Sequence, residues 1–218
     1  ISFYTKITHI IKTLYLSARY GRPAFRQAIL QGQYSYDKGI YFGGKTNEPQ
    51  VSQLKSLLMT TAEPYQEVLA IDLHTGYGER GTLHFFGLGS YSKKTRIYMN
   101  KVFNGYKIDG GTKGNFYTTT GDFPAFVDSI FQRKKTIAMT FEYGTLDSQT
   151  TLGAIESLRR STAENQGVQF GYESESDKII ANQDFMNMFN PSDKKWRKKV
   201  LDVSRIVFPN IIENFLKI

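Results

Sequence analysis

Apolar residues recur at helical spacing near the amino end of this chain. Five aliphatic side chains follow the 3.6-residue period there: Ile7, Ile10, Ile11, Leu14 and Leu16. Gly21 and Pro23 come directly after this pattern and favour a helix end. The spacing therefore predicts a helix over residues 2–20.

The same periodicity predicts helices along the rest of the chain, several of them opening with a proline or a capping side chain. They cover residues 24–30, 48–58, 95–103, 122–131, 151–165, 177–189 and 192–207. We expect Ser192 to cap the last of these helices. Pro209 should kink or end it, because proline lacks the backbone donor that a helix uses.

Two short runs, residues 68–73 and 136–141, are almost entirely apolar on both faces. Such runs are typical of central strands that are covered on both sides. Residues 83–88 could form another extended segment. Together with the helices, these strands favour a globular α/β fold.

Each of the two central strands ends at an ionisable residue with a glycine close behind. The first delivers His74 and the second delivers Glu142. Ligands of open α/β sheets bind beyond the carboxyl ends of the strands. A catalytic zinc ion needs neutral imidazole ligands and a carboxylate that takes a proton from water. The pair favours a zinc hydrolase; the alternatives are a hydrogen-bonded strand-end histidine and a surface carboxylate.

Three other residues are weaker candidates. Asp72 shares a strand face with His74, so it either orients that ring or forms a local hydrogen bond. His84 stands beside two phenylalanines, where we expect a partly buried, structural role. His9 lies in the first helix without ligand spacing, and we expect it at a surface or interface.

The composition limits the available chemistry. With 218 residues, 40% of them hydrophobic, the chain is long enough for one sizeable core or two small ones. No apolar stretch approaches the roughly 20 residues that span a bilayer. The chain has no cysteine, so histidines and carboxylates are its only transition-metal ligands. This fits a reducing compartment, and we predict a cytoplasmic protein.

The net charge is +8, and basic residues cluster at positions 93–101, 133–135 and 194–199. Such clusters could meet nucleic acid or an anionic substrate. Neighbouring aspartates favour a solvated surface instead. Serine-nucleophile and nucleotide-binding patterns are absent, since the sequence contains neither G-x-S-x-G nor a G-x-G-x-x-G or Walker spacing after a strand.

Several motifs in fixed order resemble the bacterial domain-of-unknown-function family 2817. The resemblance runs from about residue 15 to the carboxyl end. Its motifs are G-R-P-A-F-R-Q-A-I-L-Q-G-Q-Y at 21–34, G-I-Y-F-G-G at 39–44, I-D-L-H-T-G-Y-G at 71–78, T-F-E-Y-G-T at 140–145 and N-P-S-D-K-K-W at 190–196. That family belongs with the zinc carboxypeptidases and the succinylglutamate desuccinylase and aspartoacylase group.

The resemblance implies that residues 1–218 form one partial, carboxypeptidase-like catalytic domain. Its sheet would be mixed and mostly parallel, flanked by helices, with the amino-terminal strands missing. It implies that His74 is the third zinc ligand and that Glu142 activates a zinc-bound water and then protonates the leaving nitrogen. The reaction would be hydrolysis of an amide, and the substrate a peptide or an acyl-amino acid. The glycine-rich segment 109–120 is a candidate substrate loop, but the role of a substrate-closing tyrosine is not carried over to Tyr117, whose local spacing differs.

In the family, two further zinc ligands come from an H-x-x-E motif that lies upstream of the region where this chain starts. We therefore expect the chain alone to bind zinc weakly and to be inactive. Two alternatives stay open. One is a non-catalytic relative or inactive fragment with a structural or interaction role, and the other is a basic nucleic-acid-binding protein.

Overall fold

The computed structural model describes residues 3–21, 31–87, 92–109 and 121–218. The predicted helix 24–30 and most of the glycine-rich loop, with Tyr117, lie outside these residues. The described helices and strands are, in chain order, α1 (Phe3–Tyr20), α2 (Gln50–Ala62), β1 (Glu67–Gly76), β2 (Leu83–Phe86), α3 (Lys93–Val102), β3 (Ile108–Asp109), α4 (Phe123–Ile130), β4 (Lys135–Gly144), α5 (Thr151–Phe170), α6 (Glu175–Phe189) and α7 (Lys194–Leu216).

The described strands form an open, mixed four-stranded sheet in the order β1-β4-β2-β3. Strands β2 and β3 are parallel, with Phe85 opposite Ile108 and Phe86 opposite Asp109. The predicted α/β class is confirmed in this coarse form. Both predicted strands are present, and each is longer than its apolar run. Only β4 is central in the described sheet, however; the prediction of a central position is wrong for β1, which lies at the edge of that sheet.

The chain divides into two compact units. The first comprises residues 1–45, 75–82 and 143–197, and the second comprises residues 46–74, 83–142 and 198–218. The second unit holds the sheet, apart from the last two residues of β1 and of β4. The prediction of one catalytic domain over the whole chain stays a prediction.

Within the second unit, alternate residues of β4 enter two different cores. Ile137, Met139 and Phe141 are fully buried in a large cluster with side chains of β2, α3 and α7. Ala138 points to the opposite face and packs with Val127 and other side chains of α2 and α4. Burying each large side chain contributes roughly 1.5–3 kcal/mol, so these cores fix the face on which every sheet residue lies.

Helix starts follow the capping rules that the sequence indicated. The side chain of Asp122 accepts from the backbone N–H of Ala125 at 3.0 Å, and Pro124 sits in the first turn of α4. Thr150 caps α5 in the same way through the N–H of Gly153 at 3.1 Å. These side chains satisfy amide groups that the first turn of a helix leaves without partners.

Two predictions about the last helix differ from the structure. Of the two effects predicted for Pro209, a kink or an end, the end is wrong, because α7 continues to Leu216. The packing of Val207 and Ile211 in the large core outweighs the one hydrogen bond that proline removes. Ser192 is not the cap either: the carboxylate of Asp193 accepts from the N–H of Lys195 at 2.9 Å.

The first unit is built around α5 and α6. Arg159 of α5 is almost completely buried, and it pairs with Glu156 and with Asp184 of α6 at 2.7 Å each. Burying a charge is tolerated when it is paired and hydrogen-bonded, as here. None of the helices in the described part of the chain combines the length and apolar character needed to cross a membrane.

Candidate functional site

His74 lies near the end of β1 with its side chain about half exposed. Its Nε2 is 2.9 Å from Oδ2 of Asp72, two residues earlier on the same strand. The contact follows from the strand itself, because residues i and i+2 point to the same face. A carboxylate that accepts from Nε2 leaves Nδ1 as the ring atom available to a ligand.

Glu142 occupies the neighbouring strand β4, and its side chain is only 8% exposed. Its Oε2 lies 3.6 Å from Nδ1 of His74. That distance is too long for a direct hydrogen bond, but it is within the range of an ion pair. The structure therefore brings together the two residues that the sequence singled out, and it buries the carboxylate instead of leaving it on the surface.

The two carboxylates make this position favourable for positive charge. The hydrogen bond to Asp72, followed by the interaction with Glu142, raises the pKa of His74 to about 10, although partial burial acts in the opposite direction. The same arrangement that stabilises a proton on the ring stabilises a cation that replaces it. Nδ1 of His74 thus faces the negative charge of Glu142.

The start of β2 is tied to the end of β4 by a glycine bulge. The N–H of Gly81 donates to the carbonyl of Gly144 at 2.7 Å, and the N–H of Gly144 donates to the carbonyl of Thr82 at 3.0 Å. Gly81 has a φ of +72°, the left-handed conformation of the first residue of a G1 bulge. This bulge belongs to antiparallel pairs, so β2 runs antiparallel to β4.

Thr82 lies opposite Gly144. In an antiparallel pair, two residues forward on β2 face two residues back on β4, so His84 lies directly opposite Glu142. The aromatic packing agrees, since the rings of Phe85 and Phe141 are 4.8 Å apart, as expected for the adjacent opposite pair. Phe85 and Phe141 enter the large core, so His84 and Glu142 point to the other face. Asp72 and His74 alternate on β1 with Ile71, which packs against the large core, and therefore share the face of Glu142.

A polar row therefore crosses one face of the sheet: Asp72 and His74 on β1, Glu142 on β4, His84 on β2 and Asp109 on β3. His84 Nδ1 is 3.1 Å from Oδ2 of Asp109. Sequence reasoning missed this last pair, because Asp109 was assigned to the glycine-rich loop. The strand pairing that joins β2 to β3 spans a helix, and no local pattern reveals it.

The turn between β1 and β2 is held by Arg80 in the first unit. Its backbone N–H donates to Asp147 at 2.7 Å, and its guanidinium donates to the carbonyl of Thr145 at 2.6 Å and to Asp193 at 3.1 Å. Trp196 donates from Nε1 to the carbonyl of Gly144 at 2.8 Å. These hydrogen bonds hold in place the backbone that follows Glu142. Nothing in the local sequence predicts them, because their partners are far apart along the chain.

His9 takes no part in this row. It lies on α1 in the first unit, where burial, followed by the charge of Arg159, lowers its pKa. Its Nε2 is buried, which argues against the surface alternative, and the interface alternative stays a prediction.

His74 fits the role of one zinc ligand, since a neutral Nδ1 is a common donor to zinc. The described residues contain no group of three His, Asp or Glu side chains placed to hold a metal ion. A catalytic zinc site requires three protein ligands. The described site therefore supplies one ligand and a neighbouring carboxylate, not a full ligand set.

Comparison with known families matches residues 5–203 to a family described as "Protein of unknown function (DUF2817)". No curated protein and no solved structure matches the chain.

Proposed function

We propose, from the premise that this chain belongs to the DUF2817 family, that it carries part of the active site of a zinc-dependent amide hydrolase. The observation that carries the proposal is the arrangement around His74. Nε2 is held by Asp72 at 2.9 Å, and Nδ1 faces the buried carboxylate of Glu142 at 3.6 Å. An imidazole with one oriented nitrogen and a carboxylate beside the other supports this proposal, because metal-assisted hydrolysis uses an oriented histidine ligand and a nearby proton acceptor.

In this proposal His74 contributes one zinc ligand through Nδ1. The two further ligands would come from an H-x-x-E motif upstream of Ile1, as in the zinc carboxypeptidases. A zinc ion held there would polarise the scissile carbonyl and lower the pKa of the attacking water. The fold proposed is likewise that of the zinc carboxypeptidases, and the mixed sheet of the described residues supports this proposal.

Glu142 is the proton carrier. Its carboxylate accepts a proton from water as the water oxygen forms a bond to the carbonyl carbon. The same group then delivers that proton to the leaving nitrogen as the carbon–nitrogen bond breaks. The products are a carboxylic acid and an amine. Its low exposure suits this role, because a carboxylate screened from bulk water exchanges protons with the reactants.

Asp72 is a positioning residue in this scheme. By accepting from Nε2 of His74 it selects the tautomer in which Nδ1 keeps its lone pair, and it raises the basicity of the ring. Loss of such a partner typically costs 10- to 100-fold in metal affinity or activity. A peptide or an acyl-amino acid is the proposed substrate, and a cytoplasmic location stays a prediction from the cysteine-free sequence.

The test compares zinc-loaded and chelator-treated protein on a panel of peptides and N-acyl-amino acids. The protein is prepared with and without the natural sequence that precedes Ile1. We expect activity only with zinc and with an upstream H-x-x-E motif. Glu142→Gln should lower kcat by about 10²- to 10⁴-fold while zinc stays bound, and His74→Ala should lose zinc. Turnover that survives Glu142→Gln would contradict the mechanism, and complete inactivity with zinc bound would favour a non-catalytic relative.

A further inference from the structure

Outside the His74 and Glu142 pair, the polar row contains a second pair whose role is open. Nδ1 of His84 lies 3.1 Å from Oδ2 of Asp109, and Nζ of Lys107 lies 2.8 Å from the other oxygen of that carboxylate. Partial burial opposes ionisation of Asp109, but the hydrogen bonds from Lys107 and His84 keep its pKa below the ordinary value. Asp109 is thus an acceptor, and Nδ1 of His84 carries the proton that it accepts.

The other ring nitrogen of His84 has no partner among the described residues. Nε2 is buried, and nothing in the described part of the chain hydrogen-bonds to it. The ring lies parallel to that of Phe86, with centroids 6.0 Å apart, so its orientation is fixed. Buried polar atoms are nearly always satisfied. An oriented imidazole with one nitrogen anchored and the other free is a ready hydrogen-bonding group.

Its place relative to Glu142 indicates what it would contact. The ladder sets His84 opposite Glu142, where Cβ atoms of facing residues are about 4.5–5.5 Å apart. His74 lies on the other side of Glu142, on β1. If Glu142 carries a proton from water on the His74 side to the leaving nitrogen, the leaving group lies on the His84 side. This step rests on the proposed function.

We propose that His84 is a specificity-determining residue, held by Asp109, whose Nε2 hydrogen-bonds a polar side chain on the amine part of the substrate. The ring accepts a hydrogen bond when neutral and donates one when protonated, so amide- and hydroxyl-bearing leaving groups both satisfy it. An aliphatic leaving group leaves Nε2 buried without a partner, and this penalty produces discrimination. The substrate class is therefore amides of polar amines, not of aliphatic ones.

Two substitutions separate this role from a structural one. In His84→Asn the amide occupies the position of Nδ1, so the contact with Asp109 is kept but the polar atom at Nε2 is lost. In His84→Gln a polar atom reaches the position of Nε2. We expect His84→Asn to lower the ratio of kcat/KM for acetyl-Ala-Gln over acetyl-Ala-Leu by about tenfold, since an unmade buried hydrogen bond is worth roughly one factor of ten. His84→Gln should restore most of that ratio.

A second measurement needs neither zinc nor turnover. Imidazole ¹⁵N signals of His84 are recorded while free glutamine or free leucine is added to the metal-free protein. We expect Nε2 to shift with glutamine and not with leucine.

The outcomes separate the two proposals. Shifts with glutamine but no hydrolysis of any amide by the zinc-loaded protein with its natural sequence before Ile1 would support recognition by His84 and overturn the hydrolase proposal. Hydrolysis with an unchanged ratio in His84→Asn and no shift would overturn the role of His84 and leave the hydrolase proposal standing. No shift and no hydrolysis would overturn both.

Discussion

Replacing Gly144 by alanine tests the bulge that sets the register of the site. A Cβ at this position would lie 2.0 Å from the carbonyl oxygen of Glu79, 2.5 Å from its carbonyl carbon and 2.6 Å from the carbonyl carbon of Gly78. All three are backbone atoms and cannot turn away as a flexible side chain would. The turn would have to move by about 1 Å to relieve the closest contact, since real Cβ atoms almost never approach within 3.0 Å.

Overpacking of this kind costs about 1–3 kcal/mol, and a clash with backbone puts Gly144→Ala at the upper end. For a chain of this size, about 3 kcal/mol corresponds to a fall in Tm of about 6–12 °C. Gly105→Ala is the matched control. Gly105 has a φ of +84° and nothing within 4 Å of its Cβ position, so only backbone strain of about 1–2 kcal/mol is expected.

The assay is thermal unfolding followed by circular dichroism, combined with hydrogen exchange of individual amides. We expect Gly144→Ala to lower Tm more than Gly105→Ala. It should also speed exchange of the Gly81 amide, which donates to the carbonyl of Gly144. If Gly144→Ala is no more damaging than Gly105→Ala and the Gly81 amide stays protected, the close approach of the turn is wrong. The register that places His84 opposite Glu142 would then lose its support.

Three further predictions concern charge. In the metal-free protein His74 should titrate with a pKa of about 10, chiefly because of Asp72, and Asp72→Asn should lower that pKa. The stability that this proton contributes is complete below pH about 6.5 and is lost as the pH rises toward 10. A pKa of His74 near 6.5, measured by NMR, would contradict the contact between His74 and Asp72. Burial opposes ionisation of Glu156, but hydrogen bonds from Arg159 and Arg160 hold its pKa at about 2, so its contribution to stability is present above pH about 4.5 and lost as the pH falls toward 2. The free energies of unfolding of Glu156→Gln and of the unchanged protein should differ at neutral pH and converge in acid. A difference that does not change with pH would refute the pairing of Glu156 with the arginines. The protein should show no steep salt-dependent binding to a DNA duplex between about 50 and 200 mM salt, and tight duplex binding that weakens steeply with salt would revive the nucleic-acid alternative.

The sequence predicted the carboxyl ends of the apolar runs in β1 and β4 well, although β1 lies at the edge of the described sheet and not at its centre. An apolar run on both faces is a strong strand signal, and His74 and Glu142 stand where those runs stop. The expectation that they lie next to each other across the sheet, however, rested on the family resemblance, because local periodicity does not indicate the order of strands in a sheet. Helix boundaries failed where tertiary packing decides, as at Pro209, which the core around Ile211 holds inside α7.

The pair of His84 and Asp109 could not be predicted from the sequence. Each residue stands beside apolar neighbours in its own segment, and 25 positions separate them. Their contact depends on a parallel strand pair joined through α3, and on a bulge that fixes β2 against β4. In the sequence, the glycine at position 81 is a local sign of that bulge, but glycine occurs in too many turns to indicate a bulge by itself.

The central claim is that Nδ1 of His74 is the atom that binds zinc while Asp72 holds Nε2. The most direct measurement is the ¹⁵N spectrum of the histidine rings during zinc addition, with Glu142→Gln as a control that keeps the ligand. The account predicts that Nδ1 of His74 shifts to the position of a metal-bound nitrogen while Nε2 remains protonated, in both proteins. Binding of zinc through Nε2, or no response of His74 at saturating zinc, would contradict it.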